Sequence, residues 1–321
     1  MQTLRCGLFL ILVLVARAGR ADTIYVSNEQ DNTVSVVDGA SLAVTKTIPV
    51  GRRPRGLEIS RDGHSLLVAV GDDDRIDVVD LTSGSVAGSL PSGADPEVFA
   101  THPDGRRLFV ANENDNLVSV VDIGSRRVTA EVPVGVEPEG IAVSTDGKTV
   151  LCTSETTSMV HIIDAETLEL TDNLLVDTRP RWAAVSPDGR QIWVSSEIRG
   201  TVTVFDRSSG LETGKIEFSV PGVEQELVQA VGFVLTRDGS RAYVALGPSN
   251  RVAEVDVRTL TVRKLFLVGQ RVWHVALSPD ESRLYTANGN SSDMTVIDLR
   301  NEEVLKSVGV GRGPWGVVVA P

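Results

Sequence analysis

Short apolar runs rich in Val, Ile, Leu and Ala alternate with polar turns from about residue 22 to the end of the chain. No stretch there sustains the apolar period of an α-helix, so the pattern predicts strands throughout. The runs repeat in register. One that ends in Asp recurs at Asp38, Asp80, Asp122, Asp164, Asp206, Asp256 and Asp298, at spacings of 42, 42, 42, 42, 50 and 42 residues. An Asp-Gly pair at Asp62, Asp104, Asp146, Asp188 and Asp238 keeps the same frame, and Asp280-Glu281 fills its sixth place. Within one period, strands are expected at 141–144, 150–154, 160–164 and 168–176. The Asp-Gly pair joins the first two as a hairpin, because both turn positions tolerate positive φ. Four antiparallel strands per period make one propeller blade, and seven periods make an all-β, seven-bladed β-propeller as a single domain over residues 22–321.

The two ends of the repeat array complete each other. A second strand, Ile24 to Asn28, opens it, and an unpartnered first strand, Gly316 to Ala320, closes it. Pairing of these two would shut the ring and remove an exposed sheet edge. The second position of the innermost strands reads Glu58, Ala100, Ala142, Ala184, Val234, Ala276 and Val318. Small side chains suit the narrow part of wedge-shaped blades. Glu58 is the exception, either a solvated channel residue or part of a site.

Departures from the repeat gather on one face. The loops entering the innermost strands read Arg53-Pro54-Arg55, Asp95-Pro96-Glu97, Glu137-Pro138-Glu139, Arg179-Pro180-Arg181, Gln229-Ala230-Val231, Arg271-Val272-Trp273 and Gly313-Pro314-Trp315. They surround the channel mouth together with the loops between second and third strands, which add Glu29, Glu113, Glu155, Glu197 and Asp72 to Asp74. Function on repeat scaffolds sits in such irregular positions. Trp273 and Trp315 read equally as a hydrophobic plug or as a stacking platform. The expected binding residues at the mouth are Arg271, Trp273, His274, Asn288, Asn290, Asp293, Arg312 and Trp315, joined by Arg53, Arg55, Arg181, Glu97 and Glu139. Arginine would pair with a carboxylate and tryptophan would stack. The insertion at 219–228 falls on the same face and reads as a lid, a docking loop or a neutral excursion.

Composition narrows the function classes. Residues 1–21 combine Arg5, an apolar run from Leu8 to Val15 and small residues up to Ala21, the organisation of a cleaved secretory signal, so an exported, periplasmic protein without stable membrane insertion is expected. Its removal takes away Arg5, Arg17 and Arg20 and no acid, leaving 28 basic against 43 acidic residues, a formal charge of −15. That balance disfavours nucleic acid and anionic lipid as partners. Removal also leaves Cys152 as the sole cysteine, in a strand where a buried, inert thiol is expected. No metal cage, phosphate loop, dinucleotide fingerprint or serine elbow is present, and the acidic mouth has no recognised Ca²⁺ ligand spacing.

The runs Leu108 to Asn112, Val118 to Asp122 and Val132 to Gly135 resemble the YVTN repeats of surface-layer-type and YncE-like propellers over the whole mature chain. Val220 to Val223, Ala245 to Val252, Val268 to His274, Asn288 to Asp293 and Gly311 to Gly316 are similar to the PQQ-dependent catabolism-associated β-propeller proteins. That family is encoded beside periplasmic quinoprotein alcohol dehydrogenases, cytochromes and an ABC transporter. The resemblance implies a periplasmic accessory to alcohol oxidation, not the dehydrogenase itself; a monomeric, non-catalytic protein is expected. The mouth is expected to hold either a small anionic or aromatic ligand of unspecified identity or a partner protein, for which the resemblance implies a quinoprotein dehydrogenase, a cytochrome or a transporter component. The Trp-rich docking motifs and adjacent cysteine pair of the dehydrogenases are absent, so neither PQQ nor another cofactor is expected. Two alternatives share the architecture: a lactonase-like hydrolase using Glu97 or Glu139, and a haem or quinone carrier with His274 as axial ligand.

Overall fold

Twenty-eight strands form seven four-stranded antiparallel sheets in the computed structural model, which describes residues 22–320; the expected leader lies outside the described residues. Six blades are consecutive. The remaining one joins the last strand, β28 (Pro314–Ala320), to β1 (Thr23–Asn28), β2 (Thr33–Asp38) and β3 (Ala43–Pro49) in that order. Tyr25 faces Val318 and Ile24 faces Val319 across the closing pair. The ring therefore closes as the incomplete ends of the repeat require.

Strand bounds shift slightly from the expectation. The fourth-blade innermost strand, β12 (Pro138–Val143), starts before Ile141, because Pro138 pairs with Ser154 across a bulge. The outer strand of the same blade begins at Leu170 and not at 168, since Leu168 takes a left-handed φ of 62° in the preceding turn. The Asp-Gly pairs form the expected hairpins, but only the glycine crosses to positive φ; the aspartate stays outside that region and its carboxylate accepts from the backbone, as Asp62 does from the His64 N–H. Gly63, Gly105, Gly147, Gly189 and Gly239 have φ between 68° and 75°, and Glu281 fills the sixth place at 55°. Two single 3-10 turns, Gly71–Asp73 and Gln225–Leu227, interrupt the strand pattern.

Burial follows position in the blade. The second strands are almost wholly buried between neighbouring sheets, as in Ser65–Val70 and Arg107–Asn112. Outer strands keep essentially one anchor each, such as Ile48, Leu90 or Phe266. Cys152 sits fully buried in the second strand of blade four, and desolvation pushes its thiol far above the ordinary range. The insertion is pinned at both ends by buried Val220 and Val228, which join the cluster between blades five and six.

One recurring joint delivers the mouth. Arg53, Asp95, Glu137, Arg179 and Arg271 all take left-handed φ, between 55° and 62°, and Gly313 takes 65° in the equivalent place. Such a conformation is unfavourable for residues with a Cβ and needs support. Each carbonyl accepts a hydrogen bond from a second-to-third-strand loop, for example Glu113 N–H to Asp95, Glu155 N–H to Glu137 and Glu197 N–H to Arg179. Asn32, Asn116 and Asn250 of the preceding blades accept from the N–H of Arg53, Glu137 and Arg271. The kink then turns the chain from the rim into the channel.

Candidate functional site

The innermost strands place their side chains in rings stacked down the channel. The upper ring holds Arg55, Glu97, Glu139, Arg181, Trp273 and Trp315, each one residue into its strand, and Val231, which precedes the shorter innermost strand of blade six, Phe233–Leu235. The next ring holds Gly56, Val98, Gly140, Trp182, Gly232, His274 and Gly316. Glycine is required where inner strands crowd: a Cβ on Gly140 would lie 2.4 Å from the Arg181 carbonyl, and one on Gly232 would lie 2.5 Å from the His274 ring. Two large side chains fill the space that this ring leaves. The His274 ring centroid is 4.7 Å from that of Trp182 and 4.1 Å from that of Trp315. Trp315 is 1% exposed and His274 7%, so these rings form a plug.

Above the plug, arginines and glutamates alternate in two groups. Arg53 donates to Glu97 at 2.8 Å and also meets Asp72 and Asp95. Arg55 lies 3.5 Å from Glu97 and 3.2 Å from Glu29, with its guanidinium 5.2 Å from the Trp315 ring. On the far side Arg181 meets Glu139 at 3.2 Å, Glu197 at 3.4 Å and also Glu155. Arg271 donates to Glu197 at 2.6 Å and covers Trp273, 4.1 Å from its ring, while Arg181 lies 5.4 Å from the same ring. Burial alone would disfavour ionised Glu97, but Arg55 and Arg53 outweigh it and hold that carboxyl below the usual carboxylate range.

The structure thus brings together nine of the expected residues: Arg53, Arg55, Glu97, Glu139, Arg181, Arg271, Trp273, His274 and Trp315. The others sit apart. Asn288 is buried inside blade seven and donates to Asp293 and Thr295; Asn290 is exposed; Arg312 is 69% exposed and pairs with Asp31 at 2.6 Å. Trp182 belongs to the plug and escaped the sequence reading, which stopped at Arg181 in that blade. Aligning one residue further would have exposed it, because its ring neighbours are mostly glycine.

Asp95, Glu97 and Glu113 bring carboxylate oxygens within 4.8 Å of one another, the spacing of a cation site. Arg53 and Arg55 already supply the positive charge there. Glu113 is raised to about 7 by burial and by the charge of Glu97 and Glu139, and Glu139 reaches about 7 through burial, despite Arg181. A carboxyl whose folded pKa lies above its unfolded value stabilises the fold at low pH, and that contribution fades as pH rises from about 4.5 to about 7. Glu113→Gln, which mimics the protonated form, is therefore expected to raise the urea midpoint at pH 8 and to match the natural protein at pH 5. An equal effect at both pH values would refute the assignment.

The opposite end of the channel is open. Below the plug lies a cavity of about 720 Å³, walled by residues such as Leu57, Ala142, Ala184 and Val318 and rimmed by the hairpin turns at Thr145, Pro187 and Pro279. Glu58 lies in this wall, accepting from the Thr101 N–H at 3.0 Å.

The sequence profile of the cytochrome D1 heme domain matches residues 67–181. Hydrazine synthase of Kuenenia stuttgartiensis is similar in structure, at a TM-score of 0.77 and 22% identity, covering 86% of this chain and 92% of that one. A protein from Lactobacillus plantarum matches at 0.80 and 16%, covering 94% and 99%. A candidate 6-phosphogluconolactonase from Bacteroides uniformis matches at 0.79 and 15%, covering 94% and 100%. At these identities the likeness is one of fold. No curated protein matches the sequence.

The residues present do not fit a haem. Inside the profile match, His102 is tied to the Gly147 carbonyl and Arg107, and His161 to Gly135, Ser154 and Asn173. His274 lies outside the match and lacks the second hydrogen bond that orients a ligating imidazole.

Proposed function

We propose that this chain is a non-catalytic binding propeller of a periplasmic PQQ-dependent alcohol-oxidation system, docking a quinoprotein dehydrogenase, cytochrome or transporter component on its charged mouth. One observation carries this reading. The arginines and glutamates that break the repeat neutralise one another above a buried aromatic plug. Such a mouth is a preorganised charged surface over a closed plug, and that geometry suits a protein partner, selected by charge complementarity. The segments that resemble the PQQ-associated family run through the same sector, at Val268 to His274 and Gly311 to Gly316. Hydrolysis is a poorer fit, because a general base needs reach to its substrate, and Glu97 and Glu139 lie buried under arginine.

The test uses the exposed rim charges Arg52 and Arg312, 64% and 69% exposed, whose replacement costs little stability. Capture from alcohol-grown cells is expected to retain a dehydrogenase, cytochrome or transporter component of the oxidation system. Arg52→Glu with Arg312→Glu should weaken that capture about tenfold. Equal capture by the double variant would overturn the mouth as the docking face. Absence of every such component, or lactone turnover by the purified chain, would overturn the accessory role.

A further inference from the structure

The lower half of the channel is chemically unlike the mouth. At the level of Glu58 the ring of inner-strand side chains is Glu58, Ala100, Ala142, Ala184, Val234, Ala276 and Val318: one carboxyl among six small apolar groups. Glu58 forms no ion pair among the described residues: Thr101 donates to it, its N–H at 3.0 Å, and Arg61 acts on it only from longer range. The mouth glutamates Glu97, Glu139, Glu155 and Glu197, by contrast, are met by guanidinium groups. Burying a carboxyl without a cation is costly, and the cavity gives Glu58 room for one.

Aromatic rings occupy the same cavity from four different blades: Phe99, Trp182, Phe233 and Trp315 all line it. Aromatic faces attract cations. His274, beside the two tryptophans in the roof, is lowered to about 3 by burial and by Arg181 and Arg55, so it stays neutral and does not repel a positive ligand. The indole N–H of Trp315 is buried without a hydrogen-bond partner. At the rim, Arg237 sends its guanidinium to the Pro279 carbonyl at 3.0 Å and its backbone N–H to Glu281 at 2.7 Å, so its charge stands beside a second carboxylate of the lining that offsets it.

We infer that this cavity is a binding site for an organic ammonium ion with a compact apolar body, entering from the Asp-Gly hairpin face, its charge paired with Glu58 and its body held among the aromatic rings. The site lies at the far end of the channel from the docking mouth, and its occupancy is independent of any partner there. Walls of alanine and valine accept an apolar body, aromatic faces and one carboxylate select its charge, and the plug closes the blind end.

Cyclohexylammonium and its neutral isostere cyclohexanol separate charge from shape, with Trp182 and Trp315 fluorescence and calorimetry as readouts on the full mature chain at pH 7.5. The ammonium ion is expected to bind about tenfold or more tightly than the alcohol. Glu58→Gln keeps an oxygen for the Thr101 N–H, so it should fold, bind the alcohol unchanged and lose the preference for the ammonium ion. Ala184→Phe, which fills the channel, should abolish both. Equal affinity for the two ligands, a preference that survives Glu58→Gln, tighter binding of cyclohexanecarboxylate, or no binding of any probe at millimolar concentration would each overturn the assignment.

Discussion

Deletion of residues 314–321 is expected to abolish cooperative folding of the whole propeller, and a synthetic peptide of residues 314–320 is expected to restore it. Strand β28 is the innermost strand of the closing blade and pairs with β1 along its length. It buries Trp315 and Val317 and packs Val318 and Ala320 against the cluster around Tyr25, Val34 and Leu66. Each large apolar side chain contributes about 1.5–3 kcal/mol on burial, so the strand supplies roughly 5–8 kcal/mol before any ladder hydrogen bonds. A typical domain is stable by about 5–15 kcal/mol in all. Loss of β28 also frees the inner edge of β1 and exposes the inner strand of blade two, which packs on β28 through the close approach of Gly316 to the Arg55 carbonyl. Near-ultraviolet circular dichroism and urea unfolding report the outcome. A truncated chain with a single sharp transition would mean that the ring does not depend on this closure.

The architecture was legible because two independent markers share one frame: strand-ending aspartates and Asp-Gly turns cannot keep a 42-residue register unless the same structural unit recurs. The closing strand was legible for the same reason, as each end of the array lacked what the other carried. The mouth was legible only as a set of positions. Sequence places Arg55, Glu97, Glu139 and Arg181 in equivalent places on four blades, but whether such groups face solvent or each other depends on channel width. The structure pairs them, which turns expected ligand-binding arginines into partners for Glu97, Glu139, Glu155 and Glu197. Asn288 and Asp293 went unread as structural residues, since an Asn at a strand end and an Asp five residues later look alike in a binding loop and in a hairpin brace. Glu58 was visible as the odd member of an apolar ring, yet that it lacks a direct ion-pair partner among the described residues required the coordinates. Trp182 was hidden by alignment on the proline and the charge that precede it.

Arg181→Ala is expected to lower stability by about 3–5 kcal/mol, the range for removing one partner of a buried ion pair. The Arg181 side chain is 6% exposed, and the carboxylates of Glu139, Glu155 and Glu197 around it are similarly buried. Truncation leaves Glu155 with Arg179, Glu197 with Arg179 and Arg271, and Glu139 with no ion-pair partner among the described residues, and removes a cation from beside the Trp273 ring. An exposed pair gives the scale of the contrast: Arg190 lies 3.9 Å from Asp188 on the surface, and Arg190→Ala should change stability by less than about 0.5 kcal/mol. Charge, and not lost packing, is the cause if the penalty depends on pH. Glu139, raised to about 7 by burial, takes up a proton readily once Arg181 is gone, so the deficit should shrink between pH 8 and pH 5. Adding Glu139→Gln should recover part of the loss at pH 8 and little at pH 5. Urea unfolding of the two single variants and the double variant at both pH values completes the cycle. A deficit below about 1 kcal/mol, or one that pH and Glu139→Gln leave untouched, would mean that the arginine is held by packing alone and that the mouth is not a mutually neutralised network.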